Sequence, residues 1–120
     1  MKPVDAVTAV NAILKLYKDL PWELHETDCG TLVRDYVYLR TGKVHQTTHL
    51  DEPDLKTLKG YLGPPKKTEP AYGDVFLTKD YLGIYLGYCQ LLMIEELGLV
   101  RMGIPKGKEP EGIYWEVGNG

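Results

Sequence analysis

A chain of 120 residues, 43% hydrophobic and 26% charged, has room for one hydrophobic core and not two, so a single globular domain is expected. The net charge of −3, with no basic run longer than Lys66-Lys67, lacks the electrostatic footprint of a nucleic-acid binder. No apolar run is long enough to span a bilayer, and Asp5, Asn11 and Lys15 interrupt the first apolar pattern in a way a signal peptide does not tolerate.

In chain order, Pro3 to Asp19 reads as an amphipathic helix. Val7, Val10, Leu14 and Tyr17 share a stripe, Ile13 and Leu20 widen it, and Asn11, Lys15 and Lys18 face away. Pro21 disfavours helical geometry at Leu20 and closes the element. Trp22 to Glu26 is a short connection carrying His25. Thr27 and Asp28 are N-cap residue types, and Cys29, Leu32, Val33, Tyr36 and Val37 recur at helical spacing. A second helix is therefore expected to open at Cys29 and to stop at Gly42.

Gly42 to Pro53 is polar and irregular and holds His45 and His49. Pro53 to Leu62 carries the start and stop signals of a short helix ending at Gly63. Pro64-Pro65-Lys66-Lys67-Thr68-Glu69-Pro70 reads as a surface linker. It separates a helical part, about residues 3–63, from a strand-rich part, residues 73–118, with 64–72 as the join.

Beyond Gly73 the period changes. Asp74–Thr78 and Tyr81–Leu86 read as strands joined by a tight turn, followed by Cys89–Ile94, Leu99–Met102 and Gly112–Val117. Short strands with brief turns imply an antiparallel meander of about five strands, with the helices packed on it. The expected class is α+β.

Cys29 is the residue around which chemistry can be built. A thiol in the first turn of a helix feels unpaired N–H groups and the positive end of the helix dipole, both of which favour thiolate. The same position suits a small buried hydrophobe. A nucleophile needs a base within hydrogen-bond reach, and His25, His45 and His49 are the three imidazoles available. His45 and His49 share the i, i+4 spacing of helical metal ligands, but their segment lacks helical periodicity and no Glu accompanies them, so no metal or other cofactor is expected. Cys89 is expected as an inward strand residue. With no CxxC spacing, two reduced thiols are expected rather than a Cys29–Cys89 bridge. Asp74 reads as a turn or strand-entry residue. Tyr81, Tyr85 and Tyr88 form either an aromatic cluster beside a groove or ordinary sheet-face packing, and nine tyrosines against one phenylalanine hint at interface surface.

In order, Asp28-Cys29-Gly30, Gly73-Asp74-Val75 and Leu82-Gly83-Ile84-Tyr85-Leu86-Gly87 resemble the motifs of the NlpC-type, papain-like cysteine peptidases that cut cell-wall peptides. The resemblance runs from about residue 12 to residue 103. It implies a helix opened by the nucleophilic cysteine, packed on an antiparallel sheet, with a catalytic histidine at the start of the Leu-Gly-Ile strand. Here that position is Tyr81, and the family's third, ring-orienting polar residue falls near Met93. Tyrosine, with a pKa near 10, is a poor base and a poor partner for a thiolate at neutral pH.

The chain is more similar still to a phage-encoded branch without the histidine, through Trp22, Asp28, Cys29, Gly73, Asp74, Val75 and the Leu82-Gly83-Ile84 strand, then Gly98-Leu99-Val100 and Trp115. That similarity implies a catalytically degenerate component of a phage tail tip or of its assembly, made in the host cytoplasm and carried in the virion. Its partners would be other tail proteins, hub or tip components, met through the Tyr-rich face and the 42–51 and 64–70 segments. Trp22, Asp28 and Tyr81 are then candidates for lining the groove. Two alternatives stay open. One is an active cysteine peptidase or amidase with Cys29 as nucleophile and a cell-wall peptide as substrate. The other is a host-encoded domain that holds such a peptide without cutting it.

Overall fold

A computed structural model of the chain describes residues 3–18, 29–42, 59, 62–77, 82–87, 90–95, 98–103 and 113–117. Its elements are helices α1 (Ala6–Leu16) and α2 (Cys29–Thr41), followed by strands β1 (Val75–Leu77), β2 (Leu82–Gly87), β3 (Gln90–Glu95), β4 (Gly98–Gly103) and β5 (Ile113–Trp115). Helices come first and an antiparallel sheet second, so the class is α+β.

The first helix starts three residues later than its apolar pattern suggests. Asp5 is its N-cap, and the Asp5 carboxylate accepts the Thr8 N–H at 2.7 Å. That bond holds the Asp5 carboxyl below its ordinary pKa. The helix closes at Tyr17, whose N–H donates to the Ile13 carbonyl. The buried stripe is rotated from the expected one: Ala9, Val10, Ile13 and Tyr17 point inward, while Val7 is 56% exposed. Ala9 displaces Val7 because the small side chain permits close approach, and Ala9, Ile13 and Tyr17 continue one line at i, i+4, i+8.

The second helix follows its pattern closely. Leu32, Val33, Tyr36 and Val37 are all buried, Arg34 is exposed, and the helix ends at Gly42, whose N–H donates to the Tyr38 carbonyl at 2.7 Å. Tyr17 Oη donates to Asp35 Oδ2 at 2.6 Å and ties the end of α1 to the middle of α2. The expected 53–62 helix lies mostly outside the described residues. Lys59 and Leu62 are helical, and Gly63, at φ +84°, ends the turn by donating its N–H to the Lys59 carbonyl.

The sheet order is β4-β3-β2-β1-β5. The first four strands are the expected meander, each antiparallel to the next. The last strand departs from it: β5 crosses back to the free side of β1, pairing Val75 with Trp115 and Leu77 with Ile113. There Trp115 is fully buried in the core shared with the helices, with its indole N–H donated to the Gly63 carbonyl at 3.0 Å.

Strand alternation sorts the side chains onto two faces. Val75, Leu77, Leu82, Ile84, Leu92 and Trp115 join the helix residues in the main core. Phe76, Tyr85, Leu91, Met93 and Tyr114 form a second cluster on the opposite face. Both sets are buried.

Candidate functional site

Two of the resemblance-bearing motifs have a definite place in this frame. Gly73-Asp74-Val75 and Leu82-Gly83-Ile84 lie side by side, since Val75 pairs with Ile84, Phe76 with Gly83 and Leu77 with Leu82. The pairing extends back through the turn: Gly73 N–H donates to the Tyr85 carbonyl at 2.8 Å, and Tyr85 N–H to the Asp74 carbonyl at 2.7 Å. The helix that Cys29 opens packs on β2 and β3. The two motifs are therefore one structural unit, and α2 rests on the strand next to it.

Gly73 has to be glycine for two reasons. Its φ is +90°, and a Cβ there would meet Ala6 Cβ at 2.6 Å and Tyr36 Oη at 2.8 Å. The Tyr36 hydroxyl uses that proximity to donate to the Gly73 carbonyl at 2.5 Å. Burial pushes the Tyr36 phenol up to about 12, and the nearby Arg40 guanidinium offsets part of that rise. Gly83 answers a different need: a Cβ there would stand 2.2 Å from the Leu92 carbonyl oxygen, so the glycine allows β2 and β3 to approach.

Asp74 has the structural role expected of it. It is 3% exposed, receives the Lys66 ammonium at 2.8 Å and accepts the Ala71 N–H at 2.7 Å. Lys66 is the residue the sequence reading missed. The proline-rich 64–70 segment reads as a solvated linker, yet Lys66 N–H donates to the Tyr114 carbonyl while its side chain reaches Asp74. The segment is thus strapped along the outer edge of β5. No local signal marks Lys66 apart from Lys67, because the carboxylate that selects it comes from another segment.

Of the two readings of Tyr81, Tyr85 and Tyr88, sheet-face packing holds for Tyr85, and Tyr81 and Tyr88 lie outside the described residues. Tyr85 does join a cluster, but with Phe76 and Tyr114, at ring-centroid distances of 6.4 and 5.6 Å. The Phe76 and Tyr114 rings are 4.7 Å apart. This cluster lies on the sheet face opposite α2, so Tyr85 does not line a groove beside the Cys29 helix. Tyr85 and Tyr114 are each 7% exposed and offer no docking surface; Tyr72, at 41%, is the exposed tyrosine among the described residues. Met93 belongs to the same cluster, 4% exposed.

Cys29 is the first residue of α2, as expected; its side chain lies outside the described residues. Trp22, His25, Asp28, His45, His49, Tyr81 and Cys89 also lie outside them. Among the described residues no group of three or more His, Cys, Asp or Glu side chains could hold a metal ion, and no helix is long and apolar enough to cross a membrane. The chain matches no family model and no curated protein sequence.

Proposed function

We propose that the chain is a catalytically degenerate NlpC-type, papain-like domain, with its helices on a five-stranded sheet, that serves as a structural or assembly component of a phage tail tip. The observation that carries the degenerate reading is Met93. Near the position where the resemblance expects a polar group to orient the catalytic imidazole stands a thioether, 4% exposed and clustered with Phe76, Tyr85, Leu91 and Tyr114. A thioether is at best a weak acceptor and cannot hold an imidazole tautomer as a carboxylate or amide does. Tyr81 at the histidine position removes the base itself. The tail-tip assignment rests on the sequence similarity alone. Docking then falls to exposed parts of the strap, Pro64 and Lys67–Glu69, and to Tyr72.

Two measurements test the two halves of this reading. The alkylation rate of Cys29 against pH, in a Cys89→Ser background, is expected to follow an apparent pKa of about 8, near that of an ordinary thiol, or to show no reaction. High reactivity persisting below about pH 6 would reveal an ion-paired thiolate and turn the assignment toward an active peptidase or amidase. Mass spectrometry of purified particles of the encoding phage is expected to find the chain as a stoichiometric component; its absence there would remove the virion role.

A further inference from the structure

Arg40 sits in the last turn of α2 and is the one side chain that both outlying segments of the described fold bond to. Its Nη1 donates to the Val4 carbonyl at 2.8 Å and its Nη2 to the Val117 carbonyl at 2.7 Å. The preceding residue adds a second hold on one side only, since Val4 N–H donates to the Leu39 carbonyl at 3.0 Å. Residues 4 and 117 lie at opposite ends of the sequence, yet their carbonyl oxygens are no further apart than one guanidinium and two hydrogen bonds can span.

Among the described residues the close ion pairs are Arg34–Asp35 and Lys66–Asp74, and Arg40 acts on the Asp5 carboxylate through its charge without pairing closely with it. The charge is instead placed at the negative end of the α2 dipole, and Nε is buried with no acceptor. A buried donor left unmet costs free energy, and the guanidinium holds the two carbonyls while also lying beside the Tyr36 phenol. The rigid planar fork of arginine suits two carbonyls on separate segments, whereas the single ammonium of lysine does not reproduce it.

We infer that Arg40 is a clasp that makes the segments at residues 4 and 117 one cooperative element, and that a covalent join between the chain ends can take its place. The fold is then closed at this point by one side chain, and the segments on either side enter and leave together. Val4 packs at the margin of the main core and Val117 within it, so the clasp ties a marginal segment to a buried one.

The test is amide hydrogen exchange on the full chain, compared for wild type, Arg40→Lys and Arg40→Met. The Val4 amide is expected to lose protection by about tenfold or more in both variants, the size of a lost hydrogen bond to a charged donor, while Val75–Leu77 and Leu82–Tyr85 keep theirs. The same substitutions are then made in a circular permutant that joins the two ends through a short Gly/Ser linker and opens the chain between the exposed Lys67 and Thr68. There Arg40→Met is expected to have little effect on Val4. Equal loss of protection across sheet and termini in the linear variant would overturn the clasp. So would an undiminished effect of Arg40→Met in the permutant, or a permutant that fails to fold with Arg40 present. If linear Arg40→Met does not fold, Arg40→Lys and the permuted pair decide the matter by the same criteria.

Discussion

On one face of the sheet, Val75, Leu77, Leu82, Ile84, Leu92 and Trp115 are buried under two helices and tied to them by hydrogen bonds at the rim. On the other, Phe76, Tyr85, Leu91, Met93 and Tyr114 are just as dry but are held by ring packing and an enclosed thioether. The difference teaches where this fold keeps its specificity. Apolar contact is non-directional and lets helices slide, so the helix face carries directional ties: Tyr36 to Gly73, Trp115 to Gly63, Arg40 to Val4 and Val117. The opposite face lies between neighbouring strands whose register is already set by backbone pairing, and tilted ring contacts suffice there. The same contrast bears on function. The Cys29 helix belongs to the first face, and Met93, on which the proposed degeneracy draws, belongs to the second.

The comparison can be broken first at Phe76. If the second face is core in its own right, Phe76→Ala should cost about 4 kcal/mol in a urea titration, as much as a large truncation under the helices. A loss under about 1 kcal/mol would mean that this face is only lightly covered and that the parity between the faces is false.

Next in size is the strap beside β5. Lys66→Met leaves the Asp74 carboxylate buried with the Ala71 N–H but no counter-charge, and should destabilise by about 3 kcal/mol. The double variant Lys66→Met/Asp74→Asn should recover most of that loss. Recovery of none of it would show that the pair's charges are not what holds the strap.

The helix-face ties are sharpened by two glycines with the same backbone requirement. Gly63 and Gly73 both have positive φ, 84° and 90°, but a Cβ at Gly63 meets nothing within 4 Å, whereas at Gly73 it runs into Ala6 and Tyr36. Gly63→Ala should therefore cost about 1 kcal/mol from backbone strain alone. Gly73→Ala should cost about 2 kcal/mol more, as the packing there is forced apart. Equal losses would remove Gly73 as a packing constraint.

The smallest effect is a single hydroxyl. Tyr36→Phe should lose about 1 kcal/mol at neutral pH by leaving the Gly73 carbonyl without that donor. Its pH signature is more telling. The folded-state phenol lies at about 12 against an ordinary value of 10.0, so the unfolded chain gives up its proton first as pH rises. The Tyr36 contribution is complete below pH 10 and is lost between about pH 10 and 12. Stability of the wild type should fall through that window more steeply than that of Tyr36→Phe; matching slopes would place the phenol in water.

Much of this was legible in the residues, and the reasons differ by element. The second helix and its stop at Gly42 were readable because a long apolar stripe and a terminal glycine are local signals. The first helix was misjudged by three residues and by the face it turns inward. Val7 and Ala9 are both apolar, and only the neighbouring chain decides which one fits. The glycines of Gly73-Asp74 and Leu82-Gly83-Ile84 stood out as a pattern, but their reasons, a clash with Tyr36 and a close approach to Leu92, lie in other segments.

Sequence alone determined the α+β order, the helix stop glycines, the strand-rich second half and the turn role of Asp74, all of which depend on residues close together in the chain. Tertiary structure decided what depends on partners far away. It returned β5 to the edge of β1, chose Lys66 over Lys67 as the counter-ion of Asp74, and divided the apolar strands between two faces. The last could not have been read beforehand. When both faces of a strand are buried, runs such as Val75-Phe76-Leu77 lose the alternation between apolar and polar that reports which side faces the core.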